Sequence, residues 1–193
     1  MVGFLFGRQS VERNSGADTN TRPLAISFFI FVLVFITTHV FPYFGGVKSI
    51  SLATGGMKIL DSSPVFSDVE VYRRLEAFGE IGREMYQSLT YTSDVVFPLS
   101  FLVFLFFLLR FAIKNSWRTR SSALILYSMP VVWFLADIVE NLIVYFVLDS
   151  YPRPLKIAGV LGYVTIAKFI LLGLSLLTPL TLLLYSSLYK FKR

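Results

Sequence analysis

The stretch VVWFLADIVENLIVYFVL, residues 131–148, places three chemically capable side chains inside an otherwise apolar segment. Asp137, Glu140 and Asn141 are separated by three and four residues, a spacing that puts them on one face of an α-helix. An ionised carboxylate that faces lipid costs roughly 2.5–3.5 kcal/mol even on a lenient insertion scale. This face is therefore predicted to point into a helix bundle or a water-filled cavity, where carboxyl groups can bind a cation, transfer a proton or fix helix packing.

A lysine in another apolar run offers these acids a partner. Lys168 lies 12 residues past Lys156, which is about 18 Å along a helix at ~1.5 Å per residue. A lone charge at this depth costs several kcal/mol. We therefore predict that Lys168 lies within ion-pair or single-water reach of Asp137 or Glu140.

A third carboxyl group stands at the start of a further apolar run. Asp94 precedes Pro98 by four residues, and proline lacks the amide that would bond the carbonyl of residue 94. An exposed carbonyl beside a carboxylate is expected, at a depth similar to that of the other groups. The predicted polar cluster, in the outer half of the membrane, consists of Asp94, Asp137, Glu140, Asn141 and Lys168.

The polar cluster sets three carboxyl groups against one lysine. Protonation, an arginine from the neighbouring loop or a bound cation could each offset the surplus negative charge. Alternatively, the cluster is only a packing device, because hydrogen bonds between membrane helices fix their register for roughly 0.6–2 kcal/mol each. The sequence leaves both interpretations open.

The composition predicts the elements that hold this cluster. The 193 residues are 55% hydrophobic, with a mean hydropathy of +0.67, which is typical of an integral membrane protein. Four continuous apolar runs are long enough for helices that cross ~30 Å of hydrocarbon. The predicted spans are residues 24–44, 95–113, 123–148 and 158–187.

The predicted fold is all-α: an integral membrane four-helix bundle with an extramembrane helical hairpin between the first two spans. Residues 24–193 are expected to form this single transmembrane domain, and residues 1–23 a mobile N-terminal tail. Within the outer loop, residues 45–94, the first twenty residues are rich in Gly and Ser and predict irregular chain.

The hairpin is expected to begin at Ser67, which forms a capping-box pair with Glu70. A second helix from about Glu80 is predicted to run unbroken into the second span. The apolar residues at helical spacing in the two helices are Val71, Leu75, Phe78, Ile81, Met85 and Leu89. The hairpin is interpreted either as a structural cap or as a lid or docking face, with anion contacts from Arg73, Arg74 and Arg83.

Several classes of chemistry are excluded by residue counts. The chain has no cysteine and one histidine, so structural disulfides, thiol catalysis and multi-histidine metal sites cannot form within it. No catalytic motif is visible, and no metal or cofactor is predicted. The net charge of +6 comes from basic residues beside the apolar runs, which favours membrane orientation over nucleic-acid binding.

The distribution of Lys and Arg also predicts an orientation. Basic residues are concentrated before the first span, between the second and third, and after the fourth. By the positive-inside rule, both termini are expected in the cytoplasm or its topological equivalent, with residues 45–94 on the outer side.

The order of four pieces, VEVYRRLEAFGEIGREMY, SDVVFPL, LADIVENLIV and AKFILLGLS, resembles a family of small, largely uncharacterised four-span membrane proteins of bacterial type. The resemblance covers roughly residues 57–190. Its most specific parts are Asp94 with Pro98, and Asp137 with Glu140 and Asn141. It implies the architecture and the position of the site, and it implies no activity.

Three functions remain as hypotheses from the sequence. The first is a non-catalytic subunit or assembly factor of a membrane complex. The second is a small ion- or proton-linked transporter or channel that uses the polar cluster. The third is an intramembrane enzyme acting on lipid or quinone, with Glu140 or Asp137 as acid/base. The expected partners are the lipid bilayer and other membrane subunits or further copies of the chain, and no nucleic acid.

Overall fold

The computed structural model describes residues 21–43, 46–116 and 123–191. Its α-helices are α1 Arg22–Phe35, α2 Val47–Ala53, α3 Asp68–Ala77, α4 Gly79–Tyr91, α5 Ser93–Asn115, α6 Ala123–Asp149 and α7 Leu161–Phe191. A π-helical turn, Ile36–Val40, continues α1, and 3-10 turns occupy Leu60–Ser62 and Lys156–Val160. No strand occurs in the described ranges, which confirms the all-α prediction. Most of the predicted N-terminal tail, residues 1–20, lies outside them.

Four helical segments are long and apolar enough to cross a membrane, as predicted. They are Arg22–Val40, Gly79–Asn115, Leu124–Ser150 and Lys156–Leu188. In the second segment the acidic and basic residues lie in α4 and towards the two ends of α5, so the middle of α5 supplies the apolar part. The chain is an integral membrane protein on this finding.

The second hairpin helix is interrupted at one residue, Thr92, before the second span begins. The prediction of an unbroken helix is therefore wrong at this position. Thr92 has φ −116° and ψ −88°, outside the helical region, and separates α4 from α5. Its hydroxyl donates to the carbonyl of Ser88 at 2.6 Å. Thr165 and Thr178 make the same bond within the unbroken α7, so this bond alone does not account for the interruption.

Two local predictions in the loop are also wrong. Residues 45–64 are not irregular throughout, because α2 forms there and buries Ile50 completely. Ser67 does precede α3, but it makes no side-chain cap hydrogen bond. Glu70 instead accepts from Arg73 Nε at 2.7 Å and from Arg74 Nε at 3.2 Å. These charge-assisted bonds outcompete the capping box.

Buried apolar side chains form two separate groups. The loop core joins the 45–94 segment to one end of α6 and α7, and its members include Ile50, Leu60, Val71, Leu75, Tyr86, Leu89, Val144, Val147 and Leu161. The span core contains Phe101, Leu105 and Trp133, with Phe31 and Leu172 packed against them. Of the apolar residues at helical spacing, Phe78 and Met85 are buried in the loop core, whereas Ile81 is 68% exposed. α6 contributes to both cores, with Val144 and Val147 in the loop core and Trp133 in the span core.

One glycine lets the loop approach α7 closely. The amide of Gly162 donates to the carbonyl of Val65 at 2.8 Å. A Cβ atom at position 162 would lie 2.5 Å from that oxygen, closer than any allowed contact. Gly173, in the same helix, has no atom within 4 Å of the equivalent position.

This difference predicts opposite effects for one substitution at two sites. Gly162→Ala should destabilise the protein by ~1–3 kcal/mol, because the loop segment at Val65 must move. Gly173→Ala should be neutral or stabilising by up to ~1 kcal/mol, because alanine favours the helix. Thermal unfolding of both variants in the same detergent tests this. Equal stability of the two variants would show that Val65 does not pack on Gly162.

Candidate functional site

The acidic face of α6 lies between the two apolar cores. Trp133 belongs to the span core and Val144 to the loop core, and the acids and amide lie between them on the same face. Asp137, Glu140 and Asn141 are all buried, and Glu140 is completely inaccessible. The polar cluster thus forms a polar layer that is covered by apolar packing on both sides.

Lys168 on α7 pairs with both acids, which confirms the predicted ion pair. Its Nζ lies 3.2 Å from Asp137 Oδ1 and also contacts Glu140 Oε2. Thr165, one turn earlier on α7, donates its hydroxyl to Glu140 Oε1. Sequence reasoning missed Thr165, although its position three residues before Lys168 places both on one helix face.

Asn141 links α6 to α5 at the carbonyl that Pro98 leaves free. Its Nδ2 donates to the carbonyl oxygen of Asp94 at 2.9 Å and lies 3.4 Å from Asp137 Oδ2. The expected exposed carbonyl therefore has a side-chain partner. This bond satisfies a buried acceptor that the helix itself cannot satisfy.

Two further residues of the site, besides Thr165, were missed in the sequence. Asp61 follows the buried Leu60 and is the only acid in residues 45–64. Tyr86 on α4 is fully buried, accepts from the Leu60 amide at 3.0 Å and donates to Asp61 Oδ1. Tyr86 thereby fixes Asp61 next to the helices, and only a tertiary contact could have revealed this.

A cavity of about 190 Å³ connects these groups, and we call it the polar cavity. Its lining residues are His39, Val47, Ile59, Asp61, Ser62, Asp94, Phe97, Pro98, Asp137, Asn141, Lys168 and Phe169. The 47–62 segment, not the α3–α4 hairpin, supplies the loop side of this lining.

Asp94 is the least satisfied group around the polar cavity. It is 8% exposed, and its Oδ2 has no hydrogen-bond partner among the described residues. A buried carboxylate oxygen without a donor is costly. His39 lies nearby, with its Nδ1 2.7 Å from Thr38 Oγ1 and its ring 4.6 Å from that of Phe97.

The three hairpin arginines have other partners. Arg73 and Arg74 pair with Glu70, and these bonds, chiefly the one from Arg73, lower the pKa of the Glu70 carboxyl to about 2. Arg83 donates to the carbonyl of Leu75 at 3.0 Å and lies 4.0 Å above the Tyr151 ring. The anion contacts predicted for these three arginines remain a prediction.

The chemistry available here is electrostatic. In the described part of the chain, no group of three or more His, Asp or Glu residues is arranged to hold a metal ion. The site combines a closed ion pair around Lys168 with an unsatisfied carboxylate at the polar cavity. Comparison of the chain with protein-family models, with curated proteins and with solved structures gave no match.

The role of Asn141 can be tested through Pro98. Asn141→Leu should destabilise the protein by ~1–3 kcal/mol, because it leaves the carbonyl of Asp94 buried without a donor. Pro98→Ala restores a backbone amide four residues after Asp94, so the same substitution should cost clearly less in that background. Unfolding free energies of the four proteins in this double-mutant cycle give the measurement. An equal cost in both backgrounds would contradict the assigned bond.

Lys168→Met should be strongly destabilising, by ~3–5 kcal/mol, because it strands two buried acids. The double variant Lys168→Met, Glu140→Gln should recover much of that loss. Lys156→Met removes an exposed lysine from the turn before α7 and should change stability by less than ~0.5 kcal/mol. Thermal unfolding provides the comparison, and a double variant as unstable as the single one would argue against the pairing.

Proposed function

We propose that the chain is a non-catalytic integral membrane protein that acts as a subunit or assembly factor of a membrane complex. The observation that carries the proposal is the closed ion pair around Lys168. Glu140 is completely buried and contacts both Lys168 and Thr165, so it does not face a substrate. A general acid or base must reach the proton that it transfers.

In this proposal the four spans form a bundle, and the hairpin α3–α4 lies outside the membrane. Stacked rings of Phe31 and Phe101, with centroids 4.5 Å apart, support the packing of α1 on α5. The side-chain bonds of the polar cluster support the packing of α5, α6 and α7. The charged residues of α3 and α4 support an aqueous position for the hairpin. The resemblance to small four-span proteins is in keeping with this arrangement.

The orientation follows from the positive-inside rule, with both termini cytoplasmic and residues 45–94 outside. Ser62→Cys should then react with an impermeant thiol reagent on intact cells. Lys192→Cys, which follows the fourth span in the sequence, should react only after permeabilisation. The absence of native cysteine makes the labelling specific, and the reverse pattern would contradict the orientation.

Association with a partner is the direct test of the proposed role. The α1 segment is the least buried of the four spans, which makes it the expected partner face. A stoichiometric partner should co-purify in mild detergent. Phe29→Ala, at a 68% exposed position of α1, should reduce its yield. Leu184→Ala, at a 62% exposed position of α7, is the matched control. A monomeric protein without a stoichiometric partner would contradict the proposal.

A second candidate, an ion- or proton-linked carrier, is favoured by the polar cavity. Buried carboxylates with a lysine are common along ion paths in membrane proteins. Asp137 lines the polar cavity and also pairs with Lys168, so it would couple the polar cavity to the ion pair. Flux in proteoliposomes that is lost in a folded Asp137→Asn variant would support this candidate. Flux equal to that of empty liposomes would dismiss it.

A further inference from the structure

An open groove of about 560 Å³ runs between α1 and α5, and we call it the α1–α5 groove. Its lining residues are Pro23, Ile26, Ser27, Ile30, Val34, Val96, Leu99, Ser100, Val103 and Phe107. The hydroxyls of Ser27 and Ser100 donate to backbone carbonyls of their own helices, at 3.0 and 2.7 Å. The lining is therefore apolar apart from two hydroxyls that are already bonded, which favours a hydrocarbon occupant.

The α1–α5 groove has the length of one lipid leaflet. Its α1 wall extends from Pro23 to Val34, and its α5 wall from Val96 to Phe107. At ~1.5 Å per residue each wall is about 16 Å long, which is close to half of the ~30 Å hydrocarbon core of a bilayer. A partner helix that crosses the whole membrane would need a longer seat, whereas one acyl chain of a phospholipid fits this length.

Aromatic pairs fix the alignment of the two helices. The ring pairs are Phe28 with Phe104, Phe31 with Phe101 and Phe35 with Phe97, with centroids 5.3, 4.5 and 6.0 Å apart. Each step forward on α1 thus matches a step of similar length back on α5, so the helices are antiparallel. Six residues before Phe28 is Arg22, and six residues after Phe104 is Arg110. The two arginines therefore lie at the same level, at one end of the α1–α5 groove.

Positive charge is concentrated at this end of the groove. Arg110 and Lys114 follow Phe107 by three and seven residues, so they continue the stripe of α5 that lines the groove. Both side chains are exposed, and neither has an ion-pair partner among the described residues. Arg22 directly precedes the first lining residue of α1, and residues 95–136 contain no acid. The apolar groove therefore ends at a group of cations.

We propose that the α1–α5 groove binds one acyl chain of an anionic phospholipid, whose phosphate contacts Arg110 and Lys114. The lipid belongs to the leaflet at the end of the spans that carries these residues. Arginine suits a phosphate group, because its N–H groups can donate to two oxygens at once. Lys and Arg beside a span also attract anionic lipids at the membrane surface.

This lipid site goes beyond the proposed role as a subunit. The α1–α5 groove shares no lining residue with the polar cavity, so the two sites can be tested separately. α1 is the least buried of the four spans. A lipid in the groove would cover part of its exposed surface and hold it against α5.

The probe is dioleoyl phosphatidylglycerol, added to the purified full chain in a neutral detergent at constant ionic strength. Native mass spectrometry should show one retained lipid per chain, and thermal unfolding should shift upward with lipid concentration. Dioleoyl phosphatidylcholine has the same chains but no net charge, so it should bind at least ~tenfold more weakly. Glycerol 3-phosphate has the charge without the chains and should cause no shift.

Charge variants test the contact with the phosphate. The double variant Arg110→Gln, Lys114→Gln should weaken phosphatidylglycerol binding at least ~tenfold, because each Lys or Arg contributes about a fivefold preference for anionic lipid. The double variant Arg153→Gln, Lys156→Gln removes the same charges from exposed positions before α7 and should leave binding unchanged.

A tryptophan tests the groove itself. Val103→Trp places a large side chain in the α1–α5 groove, at a 44% exposed position, and should abolish the saturable binding of phosphatidylglycerol. Leu174→Trp, at a 48% exposed position of α7, is the matched control and should bind normally. The comparison of the two phospholipids on the native protein needs no variant and decides the matter if Val103→Trp fails to fold.

Several outcomes would overturn the proposal. They are equal retention of the two phospholipids, a thermal shift with glycerol 3-phosphate alone, and unchanged phosphatidylglycerol binding in Val103→Trp. Equal weakening by the two pairs of charge substitutions would contradict the assigned phosphate contact. A dimer that retains no phospholipid and that Val103→Trp dissociates would show that a second copy of the chain occupies the groove instead.

Discussion

The burial of charge within apolar helices is the constraint on which the rest of this structure depends. Lys168 on α7 cannot remain unpaired among apolar side chains without a cost of several kcal/mol. Its contacts with Asp137 and Glu140 fix the rotation of α6 and α7 about their axes, since both acids must face the same neighbour. A shift of either helix by one residue would turn these groups toward lipid.

The same layer extends beyond the ion pair. Asn141 contacts Asp137 and also bonds the backbone of α5, so three helices share one hydrogen-bonded unit. Buried polar groups that polarise one another act cooperatively, and their removal one at a time leaves unsatisfied partners. α1 is joined differently, because aromatic ring contacts such as the stacking of Phe31 on Phe101 connect it to α5. Such contacts tolerate sliding more readily than directional hydrogen bonds do.

How far the sequence predicted this arrangement depends on the kind of signal. The spans follow from hydropathy, and the pairing of Lys168 follows from the cost of isolated charge, because both are properties of the chain itself. Asp61 and Tyr86 were missed, because their contact joins residues that are 25 positions apart, one in the loop and one on α4, and helical periodicity does not reveal such a contact. The predicted capping box between Ser67 and Glu70 does not form, for a related reason. Glu70 had two arginines within one turn, and pattern matching does not rank these competing partners.

The polar layer is asymmetric, because the acids on its two sides differ in their hydrogen-bond partners. On the α7 side, Glu140 is fully buried, its Oε1 accepts from the Thr165 hydroxyl, and its Oε2 contacts the charged Lys168 Nζ. On the α5 side, Asp94 is also buried, but it is one of the residues that line the polar cavity. Its Oδ2 has no hydrogen-bond partner among the described residues. The ion pair at the α7 side therefore holds the helices whose residues line the polar cavity next to α5.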